Sequence, residues 1–479
     1  MTASELNIGL ALPEIVLLCA TCVVLLVDIF LKDHQRAITY LLSLVALLVT
    51  ALAVAIQPLA GREFAFSGSY VMDPAGRVLK LFALAAMALV FIYSRSYLQQ
   101  QRLLGGDYYL LALFAMLGVL VMISASSLLT MYLGLELLAL SSYALVAFKR
   151  DCAVGAESAM KYFVLGAIAS GSLLYGVSMI YGATGSIELA GIAEAVLAGE
   201  VLMLPMAVGL SFLLVGIAFK FGAVPFHMWL PDVYQGAPTS VTLFLGSVPK
   251  IASFALVLRV LIEGLGDLHE SWSGMVLVLA VLSMAIGNIV AIAQSNLKRM
   301  LAYSTISHVG FILVGVLVGT AAGVQGAMYY ALVYVVMALG AFGMIILLSR
   351  EGFEAENLED FKGLNARSPW FAFVMLLIMF SMAGLPPFVG FYAKVAVFGA
   401  AIEAGYTWLA VLGVLFSVIG AYYYLRVVWY MYFEPPANEV RPLPAGDLRF
   451  VVSANGLAVL ALGILPGPLL SLVAAVIPG

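Results

Sequence analysis

The sequence predicts an all-α polytopic membrane protein with about fourteen transmembrane helices. Apolar residues make up 64% of the 479-residue chain, charged residues only 10%, and the mean hydropathy is +1.10. Apolar runs of about twenty residues, the length that crosses a bilayer, recur along the whole chain. The chain is therefore expected to lie in the lipid bilayer as a single integral membrane domain over residues 1–479.

Short polar connections separate the apolar runs. The longest, residues 350–369, is about twenty residues long and too short to bury a core of its own, which leaves no room for a soluble catalytic domain. The predicted transmembrane runs, called spans 1 to 14 in chain order, are 10–31, 38–60, 78–97, 108–123, 127–148, 157–182, 201–224, 240–262, 272–294, 299–319, 325–349, 370–400, 407–433 and 451–475.

The basic residues predict the orientation of these spans. When each loop is numbered by the span it follows, odd loops carry thirteen Lys and Arg residues and even loops carry three. The positive-inside rule then places the odd loops in the cytoplasm and both termini outside. The odd-loop residues are Lys32, Arg36, Arg95, Arg102, Lys149, Arg150, Lys298, Arg299, Arg350, Lys362, Arg367, Arg441 and Arg449, and the even-loop residues are Arg62, Arg77 and Arg259.

The sequence lacks the motifs of nucleotide binding and of iron-sulfur clusters. The chain contains no phosphate-binding G-x-x-x-x-G-K-[ST] and no G-x-G-x-x-G after a strand, so no nucleotide site is expected. Cys19 and Cys22 form a C-x-x-C inside span 1, but only Cys152 accompanies them and an iron-sulfur cluster normally needs four ligands. We interpret these cysteines as small apolar filler. Neither a metal nor a cofactor is expected, and a net charge of −4 gives no indication of nucleic-acid binding.

Six ionisable residues interrupt the apolar runs. A charge in hydrocarbon costs ~3 kcal/mol at a helix centre, so such residues usually face a cavity or a partner. Lys, Glu and His can exchange a proton near neutral pH in a desolvated site, whereas Arg cannot. Lys80 and Arg426 lie nearer span ends and are expected to snorkel to the interface. The six residues, a set typical of a proton relay, are Glu136, Lys161, Lys220, Lys250, His308 and Lys394.

The same residues also have structural interpretations. Lys220 and Glu136 would form a permanent ion pair that only locks two helices together. Lys161 would snorkel to the interface, and His308 would satisfy a carbonyl in the core. On this interpretation the protein is a membrane scaffold, and Lys to Arg changes at these sites would be tolerated.

Spans 7 and 12 share the pattern G-x-x-P-F, as GAVPF (222–226) and GLPPF (384–388). Proline removes a backbone donor and disrupts a helix, so breaks are predicted at Pro225 and at Pro386 and Pro387. Freed carbonyls at membrane depth are tolerated only where protein or water satisfies them. Paired broken helices in two halves indicate inverted repeats. We predict two inverted five-helix repeats, 108–262 and 272–433, flanked by 10–97 and 451–475.

Three segments carry a resemblance to a known family. They are AFKFGAVPFHMWLPDVYQGAPTSVTLFLGSVPKIASF (218–254), NLKRMLAYSTISHVGF (296–311) and MAGLPPFVGFYAKVAVF (382–398). They resemble the proton-translocating antiporter-like family, which includes membrane subunits of respiratory complex I (NADH-quinone oxidoreductase) and subunits of multi-subunit Na+/H+ antiporters and membrane-bound hydrogenases. The resemblance covers spans 4 to 13.

The resemblance implies roles by position. Glu136 and Lys220 would be the charge couple of a first half-channel and Lys394 the lysine of a second. Lys250 would connect the two, with His308 as a relay group between them. It also implies a place in the bacterial inner membrane, no redox centre in this chain, and other membrane-arm subunits of complex I as partners. An antiporter or hydrogenase subunit is the alternative. Further candidate relay groups are Lys161, His227 and Asp232.

The basic asymmetry yields a prediction about topology. Reporter fusions after spans 6, 8 and 12 should read external, and fusions after spans 3, 9 and 11 should read cytoplasmic, because cytoplasmic loops retain Lys and Arg. Alkaline phosphatase and green fluorescent protein activities would be compared at each position. Two or more reversed reporters would contradict the fourteen-span topology.

Overall fold

The structure is a computed structural model that describes residues 6–57, 61–199, 201–436 and 445–477. Within these ranges the chain forms twenty α-helices and one two-stranded antiparallel sheet. In chain order they are α1 Leu12–Phe30, α2 Ala37–Ile56, β1 Glu63–Ala65, β2 Tyr70–Met72, α3 Pro74–Gln100, α4 Gly106–Ser124, α5 Leu128–Val146, α6 Ala153–Thr184, α7 Leu189–Ala198, α8 Met203–Phe221, α9 Trp229–Gly236, α10 Thr239–Leu245, α11 Val248–Val257, α12 His269–Ile292, α13 Leu297–Leu317, α14 Ala321–Leu348, α15 Leu364–Arg367, α16 Pro369–Ala383, α17 Val389–Glu403, α18 Thr407–Phe433, α19 Gly446–Ile464 and α20 Gly467–Val476.

The predicted fold class is confirmed. Thirteen helical stretches in the described ranges are long and apolar enough to cross a membrane. The remaining predicted span, span 12, is divided into α16 and α17, each of 15 residues. The chain is therefore a multi-pass membrane protein. Arg441, one of the odd-loop basic residues, lies outside the described ranges.

The most buried helices lie at the centre of the molecule. The stretch from α10 to the end of span 8 is wholly buried, and α13 and α14 are 94% and 89% buried over their apolar windows. By contrast, α6 and α18 are only 33% buried and present large apolar side chains outward. The ionisable residues on the central helices are therefore shielded from lipid by the peripheral ones.

The chain leaves helical form at both predicted breaks and also at two places that we did not predict. Span 8 is divided at Gly246 and Ser247 into α10 and α11, and a π-helical turn, Leu258–Gly264, follows α11. Pro249 explains the division, because it has no amide to donate to the Leu245 carbonyl four residues earlier and its ring would clash with that carbonyl in a continuous helix. Span 14 is likewise divided between α19 and α20, next to Pro466.

Two connections contain structure that the sequence did not predict. Residues 63–72 form a β-hairpin in which Glu63 pairs with Met72 and Ala65 with Tyr70, and α7 lies in the connection between α6 and α8. The remaining short elements are 3-10 helices at Ile8–Ala11, Asp33–Gln35, Phe66–Gly68, Gly266–Leu268 and Leu358–Phe361.

The prediction that Lys80 snorkels to the interface is wrong. Its side chain is 0% exposed, and its Nζ lies 2.6 Å from Glu14 Oε1 and 2.9 Å from the Tyr70 hydroxyl. The Tyr70 hydroxyl in turn donates to Glu14 Oε2 at 2.9 Å. These contacts bind α1 and the hairpin to α3, so Lys80 has a buried partner and needs no access to the interface.

Two arginines on or beside the spans bind acceptors within the protein. Arg426 donates to the carbonyls of Ile292 and Gln294, at 2.8 and 2.6 Å, at the end of α12. Arg259, predicted to lie in a loop, is buried in the π-helical turn and forms ion pairs with Asp73 and Glu263. Both guanidinium groups therefore have acceptors within the protein.

The buried Lys80–Glu14 pair gives a prediction about stability. Removing one charge leaves the other buried and unpaired, which costs about 3–5 kcal/mol, whereas replacing both by apolar groups is often neutral. Lys80→Met should therefore shorten the half-life of the purified protein at a fixed elevated temperature in detergent. Adding Glu14→Leu to that variant should restore most of the loss. Lys32→Met, at an exposed lysine, is the control, and an equal loss in the control would contradict the prediction.

Candidate functional site: buried lysines at broken helices

The structure places four of the six predicted ionisable residues in the interior. Lys220 on α8 and Lys394 on α17 are each 7% exposed, Lys250 on α11 is 3% exposed, and His308 on α13 is 2% exposed. Glu136 on α5 is half-buried. Lys161 on α6 is exposed, so the prediction that it belongs to the buried set is wrong.

Glu136 and Lys220 do not form a direct ion pair. Among the described residues no Glu136 oxygen lies within 4.0 Å of the Lys220 ammonium. Instead the Ser170 hydroxyl donates to Glu136 Oε1. Ser170 and Lys220 both line a cavity of about 20 Å³ between α5, α6 and α8. That volume holds about one water molecule. The arrangement favours communication through Ser170 and a water over a permanent locking ion pair.

Both breaks begin with the same helix end. Gly222 and Gly384, with φ of 79° and 85°, adopt the left-handed conformation that glycine tolerates. The amides that follow them bond back to the same positions: Ala223 N to Ala218 O at 2.8 Å, and Leu385 N to Phe380 O at 3.0 Å. This is the Schellman motif. The shared G-x-x-P-F pattern therefore produces the same helix end twice.

Each break is capped by a buried lysine on the corresponding carbonyl. Lys250 Nζ donates to the carbonyl of Phe221, the residue before Gly222, at 2.8 Å. Lys394 Nζ donates at 2.8 Å to the carbonyl of Ala383, the residue before Gly384. The last carbonyls of a helix lack partners within it, and a cation there is favoured by the helix dipole. The two lysines thus satisfy equivalent carbonyls at equivalent breaks.

Aromatic rings and hydroxyls complete the two lysine sites. Lys250 Nζ lies 5.9 Å from the centre of the Trp229 ring, and Lys394 Nζ lies 5.0 Å from that of Phe311. These are cation–π distances. Lys394 also donates to the hydroxyl of Ser417 on α18. Each ammonium therefore has a main-chain acceptor and a ring face but no carboxylate partner in the part of the chain that the structure describes.

His308 is the centre of a buried hydroxyl network. Its Nδ1 lies 2.8 Å from the Tyr330 hydroxyl and its Nε2 lies 3.0 Å from the Tyr424 hydroxyl. Tyr424 in turn contacts the Ser304 hydroxyl at 2.5 Å. The structural alternative, in which His308 satisfies a backbone carbonyl, does not match these contacts. A histidine between two hydroxyls can accept a proton at one nitrogen and donate one at the other.

The remaining candidate relay residues lie beyond the first break. Asp232 on α9 bridges Lys161 Nζ at 2.8 Å and Arg299 Nη1 at 2.6 Å. His227, between α8 and α9, is half-buried, and its Nδ1 makes no hydrogen bond within the described ranges. Its ring centre lies 6.5 Å from that of Tyr303 on α13. Asp232 and His227 therefore face the second predicted repeat.

Several polar residues at the site were missed by sequence reasoning. The Ser283 hydroxyl accepts from the Val224 amide at 2.9 Å in the first break, and the Ser381 hydroxyl accepts from the Gly390 amide at 3.1 Å in the second. Lys298, which we had placed in a loop, is 1% exposed. Isolated serines in apolar helices carry no sequence signal, but Asn296 just before Lys298 is a helix-cap residue that marks the start of α13.

The described part of the chain has no group of three or more His, Cys, Asp or Glu side chains that would hold a metal ion. Cys19 and Cys22 are exposed free thiols on α1, and Cys152 is a free thiol at the start of α6.

The transmembrane family described as NADH:quinone oxidoreductase/Mrp antiporter matches residues 125–420. That range contains both breaks, the three buried lysines and His308. The chain belongs to this family.

The chain is also similar over its whole length to curated relatives. It is 57% identical over 471 residues to NADH-quinone oxidoreductase subunit N of Thiobacillus denitrificans, covering 98% of each chain. It is 56% identical over 463 residues to subunit N of Thioalkalivibrio sulfidiphilus, covering 96% of each.

Solved structures share the fold. A chain of respiratory complex I from Thermus thermophilus superimposes with a TM-score of 0.82 at 33% identity, over 96% of this chain and 98% of that one. A chain of the Mrp complex from Dietzia sp. superimposes with a TM-score of 0.77 at 22% identity, over 98% of this chain and 96% of that one. The second likeness is one of fold alone.

The second break gives a prediction about stability for two glycines, one before and one after Lys394. Alanine at the first should destabilise the protein, and alanine at the second should stabilise it. A Cβ at Gly384 would lie 2.8 Å from Cδ and Nζ of Lys394. The left-handed backbone there would cost a further ~1–2 kcal/mol, so Gly384→Ala should shorten the thermal half-life. Gly399→Ala, within α17 where a Cβ meets nothing within 4 Å, should lengthen it, since alanine favours a helix by about 1 kcal/mol. Equal effects would contradict the capped-break geometry.

Proposed function

We propose that this chain is the proton-translocating subunit N of bacterial NADH-quinone oxidoreductase, in the membrane arm of complex I. Identity above 50% to proteins of that name, over nearly their full length, supports this assignment. The proposal includes a place in the inner membrane with both termini on the periplasmic side, which rests on the thirteen-to-three distribution of basic residues. The chain holds no redox centre, and energy reaches it from neighbouring membrane-arm subunits.

The observation that carries the proposal is the pair of buried lysines on the carbonyls of broken helices. A protonated Lys250 or Lys394 donates to its carbonyl, and a neutral amine donates more weakly because charge-assisted hydrogen bonds are stronger. Releasing a proton therefore loosens the cap on that break. Each lysine thus has two protonation states that differ in local structure, as a carrier requires.

Glu136 and Lys220 are proposed to control the first half of the pathway. Two unit charges about 6 Å apart at an effective dielectric near 20 interact by ~3 kcal/mol. Moving one proton against a membrane potential costs ~2.3 kcal/mol per 100 mV. A change in the separation of Glu136 from Lys220 therefore has the magnitude needed to drive a proton onto or off the lysine. The cavity beside Ser170 supplies room for the bridging water.

Protons would then pass along the central helices. Lys250 lies at the first break, and the Tyr330–His308–Tyr424 network crosses the core from α14 to α18. The proposed order is Lys220, Lys250, His308 and Lys394. Hydroxyl groups and histidine are suited to this path because each is both a donor and an acceptor.

Two other functions are alternatives to this proposal. A subunit of a multi-subunit Na+/H+ antiporter or membrane-bound hydrogenase would have the same fold, but the likeness to the Mrp chain is 22% in identity against more than 50% to the subunit N proteins. A membrane scaffold would use the charges only for packing. The scaffold is disfavoured because Glu136 and Lys220 are not paired directly.

The proposal predicts the effect of substitutions at Lys220. Lys220→Ala and Glu136→Ala should each assemble but lose proton pumping, whereas Glu136→Asp should be milder because it keeps a titratable carboxylate. Lys220→Arg should damage pumping almost as much as alanine, since arginine keeps the charge but cannot release a proton. Proton uptake by inverted vesicles during NADH oxidation would be measured at matched complex content.

Lys149→Arg, at an exposed lysine after α5, is the control for this series. The Lys220→Ala/Glu136→Ala double variant should lose less than the sum of the single variants, because residues acting as a unit are not additive. A fully active Lys220→Arg would support the scaffold and exclude Lys220 as a carrier.

A further inference from the structure

One turn joins the first break to the helix pair that follows it. Ala237, Pro238 and Thr239 connect α9 to α10. Lys298 Nζ donates to the Ala237 carbonyl at 2.7 Å, and the Thr239 amide donates to Glu354 Oε1 at 3.1 Å. Lys298 Nζ and Glu354 Oε1 lie 3.5 Å apart. The two charges of one ion pair therefore bind the two backbone groups on either side of Pro238.

These backbone groups need outside partners. The Ala237 carbonyl lies at the end of α9, and the Thr239 amide lies at the start of α10, where helices leave polar groups unpaired. Pro238 has no amide hydrogen and therefore cannot donate a hydrogen bond in this turn. The Glu354 carboxylate also accepts from the Thr239 hydroxyl and, at 2.8 Å, from the hydroxyl of Tyr97. The Tyr97 hydroxyl itself lies 3.0 Å from the Thr239 amide. The carboxylate therefore acts as a helix cap supplied by a distant part of the chain.

The ion pair is held by the predicted second repeat. Lys298 is in the first turn of α13, where the helix dipole disfavours a cation, so it depends on carboxylates. Glu356 provides a second one at 3.7 Å, and its carbonyl accepts from the Leu297 amide at 2.6 Å. Burial opposes ionisation of Glu354, but Lys298 and the hydrogen bonds from Thr239 and Tyr97 outweigh it and hold the pKa of Glu354 below its usual value. The Glu354 carboxyl group is therefore ionised at neutral pH.

The capped turn fixes the segment that runs from the first break to Lys250. At its start, Lys250 on α11 binds the Phe221 carbonyl. Further along the segment, Lys298 binds the Ala237 carbonyl. Between these points Arg299 Nη1 binds Asp232 at 2.6 Å. Moving the turn would shift α10 and α11, and with them the ammonium of Lys250 relative to its carbonyl.

We propose that Lys298 and Glu354 are positioning residues for the proton pathway, acting as paired helix caps on the two sides of Pro238. Through this turn the connector after α14, in the predicted second repeat, sets the position of Lys250 in the first. The proposal rests on the proposed function, since it assigns a purpose to the position of Lys250. Neither residue carries the transported proton.

Substitutions at Glu354 separate capping from proton carriage. Glu354→Gln keeps an acceptor for the Thr239 amide, whereas Glu354→Ala removes it. Loss of a cap changes the population of the capped helix start by about fivefold. Glu354→Ala should therefore raise hydrogen exchange of residues 239–245 and lower the protons pumped per electron by about fivefold. Glu354→Gln should change each by less than about twofold, because it keeps the acceptor for the Thr239 amide and Glu356 still provides a carboxylate beside Lys298.

The matched control lies on the same connector. Glu359→Ala removes an exposed carboxylate whose nearest cation is Lys362, at 3.4 Å, and should behave as the unsubstituted protein does. All variants would be compared in the assembled complex at matched content on native gels. Equal damage from Glu354→Gln and Glu354→Ala would overturn the proposal in favour of a proton carrier. Equality of Glu354→Ala with the control would overturn it altogether.

A charge exchange gives a second, independent test. The double variant Lys298→Glu with Glu354→Lys keeps an opposite-charge pair but turns a carboxylate toward the Ala237 carbonyl and an ammonium toward the Thr239 amide. Capping predicts no rescue, and exchange of residues 239–245 at least as fast as in Glu354→Ala. Recovery of pumping by the exchanged pair would overturn the proposal, because simple pairing would then suffice.

A replacement variant and a comparison with Lys220→Ala keep the test decisive. If Glu354→Ala does not assemble, Glu354→Asp takes its place, since it keeps the charge but is one methylene short of the Thr239 amide. Capping then predicts faster exchange of residues 239–245 in the Asp variant than in the Gln variant, and the reverse order overturns it. Normal pumping by Lys220→Ala would overturn the proposed function alone, because hydrogen exchange reports on the cap independently of pumping.

Discussion

The structure depends on one constraint, that a helix broken inside the membrane leaves carbonyls which lipid cannot satisfy. The chain meets it twice in the same way. A left-handed glycine ends α8 and α16, and a buried lysine donates to the last carbonyl of each. Because the partner is an ammonium group and not a fixed donor, the stability of each break depends on whether a lysine is protonated. Under the proposed function, the hydrogen bond that satisfies each break is therefore also the one that weakens when its lysine releases a proton.

The central helix α13 joins the two halves of the molecule. Its first turn holds the segment after the first break through Lys298 and Arg299, and its middle places His308 between Tyr330 and Tyr424. Phe311, one turn further, covers Lys394 beside the second break. A displacement of this one helix would therefore act on both lysine sites, and α13 is buried enough to transmit such a displacement as a rigid element.

Glu136 differs from the other ionisable residues because it is half-exposed on the outer side of α5. Its neighbours Leu133 and Leu140 on that helix are 59% and 56% exposed. A carboxylate at this depth is costly against lipid. The Ser170 hydroxyl satisfies one of its oxygens from the inner side. Apart from the exposed Lys161, Glu136 is therefore the member of the set most open to its surroundings, whereas Lys220 is buried.

The sequence by itself determined the spans, the two proline breaks, four interior ionisable residues and the half-buried Glu136, because hydropathy and proline act locally along the chain. It did not determine what each ionisable group contacts. The sequence predicts Lys80 at the interface and Lys298 in a loop. Both are buried, because Glu14 and Glu354 contact them from segments distant in sequence. The division of span 8 at Gly246 and the satisfaction of each break by a particular lysine likewise depend on packing between helices. Only the tertiary structure decides such contacts, since the energy of a buried charge is set by neighbours in space.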